Sequence, residues 1–364
     1  MNILYVSHLE GQLFVGPNYS VPAQVFAQSK YDNVFWYNLN SSKQDAWLKG
    51  GLFHNTEEFP QKKLSHLPEP FNHPDLVVFE SFYYADDLSI SCECRKNGIP
   101  YVIVPRSAFT HQAQKSKKIK KWIANFVFFK RFAKKALAIH YLTETEYKDS
   151  GASWNRNYFV EPNGIAMPSQ KKQFTNQAWI NGICIGRFDE YQKGLDLLLE
   201  ACKDIREFLI KSRVRINLFG PERLGYKKRF QELVVENDLS EVIFVHDGVY
   251  GKDKEKELLN SDFFVMTSRF EGMPMSLIEA LSYGLPCVVT KGSNMSDVVE
   301  RYHAGKTCDT TSQDIASALA SFVNEQHRFE EYSKNAIELA SQYDWDSIAS
   351  RSHDHYVGLL NRVV

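Results

Sequence analysis

The residues from Ser268 to Ala280 (Ser-Arg-Phe-Glu-Gly-Met-Pro-Met-Ser-Leu-Ile-Glu-Ala) carry types and spacings that suit recognition of an extended anionic ligand. Pro274 suits the first turn of a helix, and Gly272 permits a tight approach to it. The amides of Met275, Ser276 and Leu277 would then point out of the helix N-terminus as an anion site. Glu271 stands before that mouth and Glu279 more than a turn inside. At ~100° and ~1.5 Å per residue the two carboxylates cannot meet at one point. They suit two hydroxyl-bearing parts of one ligand, with a phosphate between them. The plainer alternative is a strand–loop–helix joint with both carboxylates solvated. A second segment runs Gly186-Arg187-Phe188-Asp189-Glu190-Tyr191-Gln192-Lys193-Gly194. Arg187 and Lys193 flank this loop and could hold a diphosphate as fixed cations. Taken alone, such a loop is equally an ordinary surface turn.

Both segments must be placed by strands and helices, and the sequence supplies them in alternation. Apolar runs at Ile3-Leu4-Tyr5-Val6, 33–37, 76–79, 101–104 and 138–142 read as strands buried on both faces. A second series follows at 182–186, 214–219, 242–245, 263–266 and 286–290, with helical stretches such as 195–212 and 227–237 between. Alternation of this kind predicts an α/β fold of parallel sheets with right-handed crossovers. The polar stretch Met167-Pro168-Ser169-Gln170-Lys171-Lys172-Gln173 is the linker candidate. The expectation is two doubly wound domains, 1–166 and 174–344, facing across a cleft that would hold the ligand.

The chain has 364 residues, 43% hydrophobic and 24% charged, a composition that excludes disordered and fibrous classes. There is no run of ~18 apolar residues to span a membrane, and the first residues do not read as a signal peptide. Six scattered cysteines without a ligand pattern argue against zinc and for a reducing cytoplasm. The net charge of −1 hides a partition: from Cys94 to Thr143 there are twelve Lys and Arg and not one Asp or Glu. Nine of these bases lie between Lys115 and Lys135, among Trp122, Phe126, Phe128, Phe129 and Phe132. Ile119, Trp122, Phe126, Phe129 and Ala133 follow helical spacing as one apolar stripe. Either that stripe packs into the core, or the segment, with Lys117, Lys118, Lys120, Lys121 and Trp122, meets an anionic membrane surface. Nucleic acid is the disfavoured polyanion, since no nucleic-acid motif accompanies the patch.

Glu271 to Glu279 resembles the E-x₇-E motif of retaining glycosyltransferases of the GT-B fold, family 4 type (glycosyltransferase group 1). Gly186-Arg187 with Lys193-Gly194 looks like that family's diphosphate loop. Glu161-Pro162-Asn163-Gly164-Ile165, Leu218-Phe219-Gly220 and Gly284-Leu285-Pro286-Cys287-Val288 are further matches. The likeness is strong over 138–310 and looser before. It implies two Rossmann-like domains: an N-terminal acceptor domain, joined by a C-terminal crossover helix 345–364, and a donor domain. It further implies that Arg187 and Lys193 hold the nucleotide diphosphate and neutralise the leaving group. Glu279 would bind the ribose, and Glu271 would face the sugar. Gly272, Met273, Pro274, Met275 and Ser276 would give backbone contacts, with Leu277 at the same helix mouth. Gly248 and Val249 would lie near the base. Gly16 stands where the family often has glycines meeting donor phosphates. Arg106 or His111 would face donor or acceptor, or be structural, and Glu80 is an acceptor-side candidate.

The implied function is transfer of a sugar from a nucleotide-diphosphate sugar, expected to be a UDP-sugar, to a hydroxyl acceptor. The acceptor expected is a saccharide or lipid-linked saccharide, in capsular, exopolysaccharide or other envelope glycan synthesis. No metal or other cofactor is expected, and the location expected is cytoplasmic, at the inner face of the plasma membrane. The alternatives are an epimerase or phosphorylase of the same fold, or a catalytically inactive sugar- or polyanion-binding module. Asp344-Trp345-Asp346 has a metal-motif spacing but reads as a helix N-cap, and Asp86-Asp87 as a solvated helix start.

Overall fold

The apolar runs form two parallel sheets. The computed structural model describes residues 1–11, 16–115, 118–175, 178–189, 191–222 and 225–362, without the side chains of Gln112, Lys115 and Lys118. The chain divides into two units, Met1–Gly164 with Trp345–Val364, and Ile165–Asp344. No helix among the described residues is long and apolar enough to cross a membrane.

The first unit holds β1 (Asn2–Ser7), β2 (Asn33–Asn38), β3 (Phe53–Asn55), β4 (Leu76–Phe79), β5 (Tyr101–Ile103), β6 (Ala138–Tyr141) and β7 (Tyr158–Val160). They are ordered β3-β2-β1-β4-β5-β6-β7, with Tyr5 beside both Trp36 and Val78 in parallel register. Successive residues of β1 enter opposite cores, Leu4 and Val6 one, Ile3 and Tyr5 the other. Burial on both faces is why the strand reads as a continuous apolar run. Helix Trp345–Leu360 belongs to this unit. Its Tyr356 is fully buried, Arg351 donates to Glu161 at 2.7 Å, and His353 lies 3.0 Å from the Asp32 carboxylate.

The second unit holds β8 (Ile180–Ile185), β9 (Val214–Phe219), β10 (Ile243–His246), β11 (Phe263–Met266), β12 (Cys287–Thr290) and β13 (Gly305–Cys308). Their order is β10-β9-β8-β11-β12-β13, the doubly wound arrangement in which the winding reverses between the first and fourth strands. Phe263 and Val265 fill one core, Phe264 and Met266 the other. Three strands escape a reading of apolar runs: β3 and β7 are three residues long, and β13 is Gly-Lys-Thr-Cys. The helical stretch 195–212 is two helices, Leu195–Asp204 and Arg206–Lys211, parted at Ile205.

The expected apolar stripe on 119–133 is corrected. Phe129 and Ala133 are buried, but Ile119, Trp122 and Phe126 are 76%, 67% and 81% exposed. A π-helical turn, Asn125–Phe129, separates helix Lys118–Ala124 from helix Lys130–Lys135. The wider π turn adds a residue to the turn and rotates the first half of the stripe away from the second. Asp87 is likewise buried rather than solvated, 2.8 Å from the His8 ring nitrogen.

Candidate functional site

In the second unit, the loops after β8 and β11 leave the sheet side by side at the winding reversal, where open α/β sheets bind ligands. The first carries Arg187 and Lys193 and the second carries Ser268 and Glu271. Several bonds lace them together. Thr267 Oγ1 donates to the Gly194 carbonyl at 3.0 Å, and the Arg269 amide to Gln192 O at 2.9 Å. The Arg269 guanidinium makes two bonds to Asp196, at 2.6 and 2.7 Å, and covers the Tyr191 ring. Gly194 has φ +59°, and a Cβ there would fall on the Thr267 carbonyl, so the close approach of the loops requires glycine.

Lys193 Nζ donates to Glu271 Oε1 at 2.6 Å, and Ser268 Oγ donates to the same oxygen at 2.6 Å. Both charged side chains are largely buried, at 17% and 8% exposure. This pair fixes the ammonium at the mouth of a small cavity lined by Gly186, Arg187, Lys193, Thr267 and Ser268. Arg187 is exposed, and among the described residues Nη2 has only a 3.5 Å bond to Gln192 Oε1. Its guanidinium therefore has donors to offer a phosphate. Cys184, beneath the same cavity, is pushed up to about 11, chiefly by burial, so it stands as a neutral thiol rather than a nucleophile.

Glu279 lies in helix Met275–Ser282 and meets a different cation, Lys254 Nζ, at 2.7 Å from Oε1 and 2.8 Å from Oε2. The two glutamates of the motif thus have separate partners, as the helical geometry requires. The expected trio of amides is corrected: Met275 N–H donates to Met273 O and Leu277 N–H to Pro274 O, each at 3.0 Å. Of the expected three amides, that of Ser276 remains the candidate anion donor at this helix end. Gly272 is exposed and Met273 half-buried, while Pro274 caps the helix from a buried position. Gly248 and Val249 follow β10. Val249 packs toward the Leu277 core, and a Cβ at Gly248 would press on the Tyr250 hydroxyl.

The first unit's candidates separate. Arg106 and Glu80 are partners: Nη2 and Nε reach Glu80 Oε2 at 2.6 and 3.0 Å, and the guanidinium also reaches Ser20 and Gln24. Glu80 is fully buried, and burial pushes its carboxyl above the usual range despite the Arg106 charge. His111 stays exposed beside Asp149, at 3.0 Å. Gly16 precedes helix Pro17–Gln28, where its carbonyl accepts from Tyr19 and Ser20. Lys117 and the side chain of Lys118 lie outside the described residues, as does Glu190. Asp346 is paired with Lys30, and no group of three His, Cys, Asp or Glu suited to a metal occurs among the described residues.

Three residues at the site have no role in the reading from sequence. Ser268 sits within the motif but has no pattern of its own to mark it. Lys254 and Asn294, whose side-chain amide donates to the Glu271 carbonyl, come from helices and loops distant in sequence. No local spacing could have found them.

Residues 170–339 match the family described as Glycosyl transferases group 1. Among curated proteins, the chain is 29% identical over 154 residues to the putative colanic acid biosynthesis glycosyltransferase WcaL of Salmonella typhimurium, covering 41% of this chain and 36% of that protein. The chain therefore spans about a third of the length of that relative. Among solved structures, it is similar to Anabaena HepE in complex with UDP (TM-score 0.72, 15% identity, 98% of this chain and 100% of that one). It is also similar to sucrose-phosphate synthase from Thermosynechococcus elongatus (TM-score 0.71, 14% identity, all of both chains). These structural likenesses are of fold, and the fold is GT-B, with two Rossmann-like α/β domains.

Proposed function

We propose, from the match of residues 170–339 to the group 1 glycosyl transferases, that the protein transfers a sugar from a nucleotide-diphosphate sugar to a hydroxyl acceptor. The observation that carries the reading is the convergence of Lys193, Ser268 and Glu271 at the winding reversal, with Arg187 on the rim. UDP is the nucleotide favoured, because HepE, which shares the fold, binds it. The likeness to WcaL, described as a putative colanic acid biosynthesis glycosyltransferase, supports a saccharide acceptor in polysaccharide synthesis; a lipid-linked saccharide and a reaction on the cytoplasmic side are part of the same proposal.

The chemistry follows from the charges. The bond from the anomeric carbon to the diphosphate oxygen breaks while the acceptor oxygen bonds to the same carbon. Negative charge grows on the diphosphate, where Lys193 and Arg187 stabilise it more in the transition state than in the ground state. The mechanism proposed is retaining. The acceptor attacks on the face that the diphosphate leaves, and its hydroxyl proton passes to the departing phosphate oxygen. Glu271 would orient the sugar, and Glu279, held by Lys254, the ribose hydroxyls. Two cations meet the diphosphate charge, so the reading asks for no metal.

The test is a binding panel of nucleoside diphosphates and their sugars, read by thermal shift and calorimetry, followed by turnover with the best donor. Glu279→Ala should weaken donor binding by about 1–3 kcal/mol, through loss of a charged hydrogen-bond acceptor. Arg187→Ala should lower turnover as well. Unchanged donor kinetics in both variants would remove the site assignment. Loss of activity in a chelator would replace the metal-free reading.

A further inference from the structure

The segment from Ile119 to Lys135 presents a surface that has no part in the donor site proposed above. Ile119, Trp122 and Phe126 stand well out of the fold, and Ile123, Val127 and Phe128 are also exposed. Trp122 and Phe126 stack, with ring centroids 6.1 Å apart. A cluster of six large apolar side chains in ten positions is far from the scattered exposure normal on a soluble surface.

The outward pose is built in. On the opposite side, Lys121 Nζ donates to the Ala113 carbonyl and lies 5.1 Å from the centroid of the Tyr83 ring. Tyr83 OH donates to Asn125 Oδ1 at 3.0 Å, and Asn125 Nδ2 to Gln114 Oε1 at 3.1 Å. Phe129, Phe132 and Ala133 enter the core of the first unit. The π turn between these anchors holds the first half of the segment apolar side outward. Lys121 is thereby turned inward, which corrects its expected place on the contact surface.

The charges identify the occupant. Lys120, Lys130, Arg131, Lys134 and Lys135 are exposed, and the chain from 94 to 143 contains no carboxylate to pair with them. Aromatic and aliphatic side chains beside unpaired cations match the boundary of an anionic bilayer, where the rings enter the acyl edge and the ammonium groups meet lipid phosphates. A second copy meeting this segment with its own would set one acid-free basic surface against another, which like-charge repulsion disfavours. We propose that Ile119, Trp122, Ile123, Phe126, Val127 and Phe128, flanked by Lys120, Lys130, Arg131, Lys134 and Lys135, dock the protein on an anionic lipid bilayer.

The experiment is co-sedimentation of the full chain with vesicles of phosphatidylcholine alone, and of roughly three parts phosphatidylcholine to one part phosphatidylglycerol. The double variant Trp122→Ser/Phe126→Ser tests the apolar part. The variant Lys130→Gln/Arg131→Gln/Lys134→Gln tests the charged part. Wild type should sediment with the anionic vesicles and not with the neutral ones, and each variant should lower its partition about tenfold or more. Circular dichroism and UDP binding should stay at the wild-type level, since the altered side chains are exposed and UDP is assigned to the second unit. Failure of docking is thus read separately from failure of the transferase reading. Wild type that ignores anionic vesicles at low salt overturns the proposal, as do variants that bind like wild type. A concentration-dependent dimer lost in Trp122→Ser/Phe126→Ser, with vesicle binding intact, would assign the patch to a second copy instead.

Discussion

Lys193 and Glu271 show how a charged pair can be poised rather than spent. A buried ion pair costs desolvation and repays it only with good geometry and further hydrogen bonds. Here Ser268 supplies the extra bond on the same carboxylate oxygen. The ammonium is fixed without a large entropy loss left for the ligand to bear. Arg106 and Glu80 differ: both are turned into the first unit and close on one another, with Ser20 and Gln24 around them. Arg106→Ala should therefore act on stability. It leaves Glu80 buried without its cation, a cost of about 3–5 kcal/mol, read as a lower urea midpoint. Restoring packing in Arg106→Met/Glu80→Leu should recover much of it. UDP affinity should remain that of wild type in both, and a loss of UDP affinity in Arg106→Ala would return this residue to the donor site.

At the scale of elements, the helix Trp345–Leu360 is held by a few ionic contacts and by burial of Ile348, Ala349 and Tyr356. Burial of Asp32 opposes its charge, but hydrogen bonds from His353, Gln28 and the N-terminus outweigh that and hold its carboxyl below the usual range. A depressed carboxyl favours the folded state when ionised. Its contribution is complete above the unfolded aspartate value of about 3.9 and disappears as pH falls through the lower folded value. Wild type should accordingly lose stability faster than Asp32→Asn as pH falls below about 4, measured by denaturant midpoints across that window. Parallel curves for the two proteins would count against this account. The π turn at Asn125–Phe129 is the other element that matters, because one extra residue in a turn decides which side of a helix meets water.

Across the whole molecule, the two units have separate sheets and separate cores. A ligand confined to the second unit should stabilise that unit by mass action. UDP at about one hundred times its dissociation constant should add about 2.7 kcal/mol, seen as slower amide exchange in β8 and β11, with the largest protection in the 186–194 and 268–277 loops. Exchange slowed in β1 and β4 but not in β8 and β11 would place the nucleotide elsewhere. Much of this architecture was legible in the residues. The strands at 3–6, 76–79 and 263–266 are apolar because both faces are covered, and the Pro274 helix start and the glycine loops mark local backbone needs. β3, β7 and β13 were not legible, since short or polar strands carry no periodicity of their own. The chain alone established the alternating α/β order, the loop cations, the two glutamates of the motif and the acid-free segment, because each depends on neighbours in sequence. The partners of those charges, Lys254 for Glu279, Ser268 and Lys193 for Glu271, Glu80 for Arg106, and the outward turn of Trp122 and Phe126, came only with the folded chain. Those outcomes depend on which distant side chains packing brings within about 3 Å, where a hydrogen bond or ion pair forms, and no spacing along the chain encodes that distance.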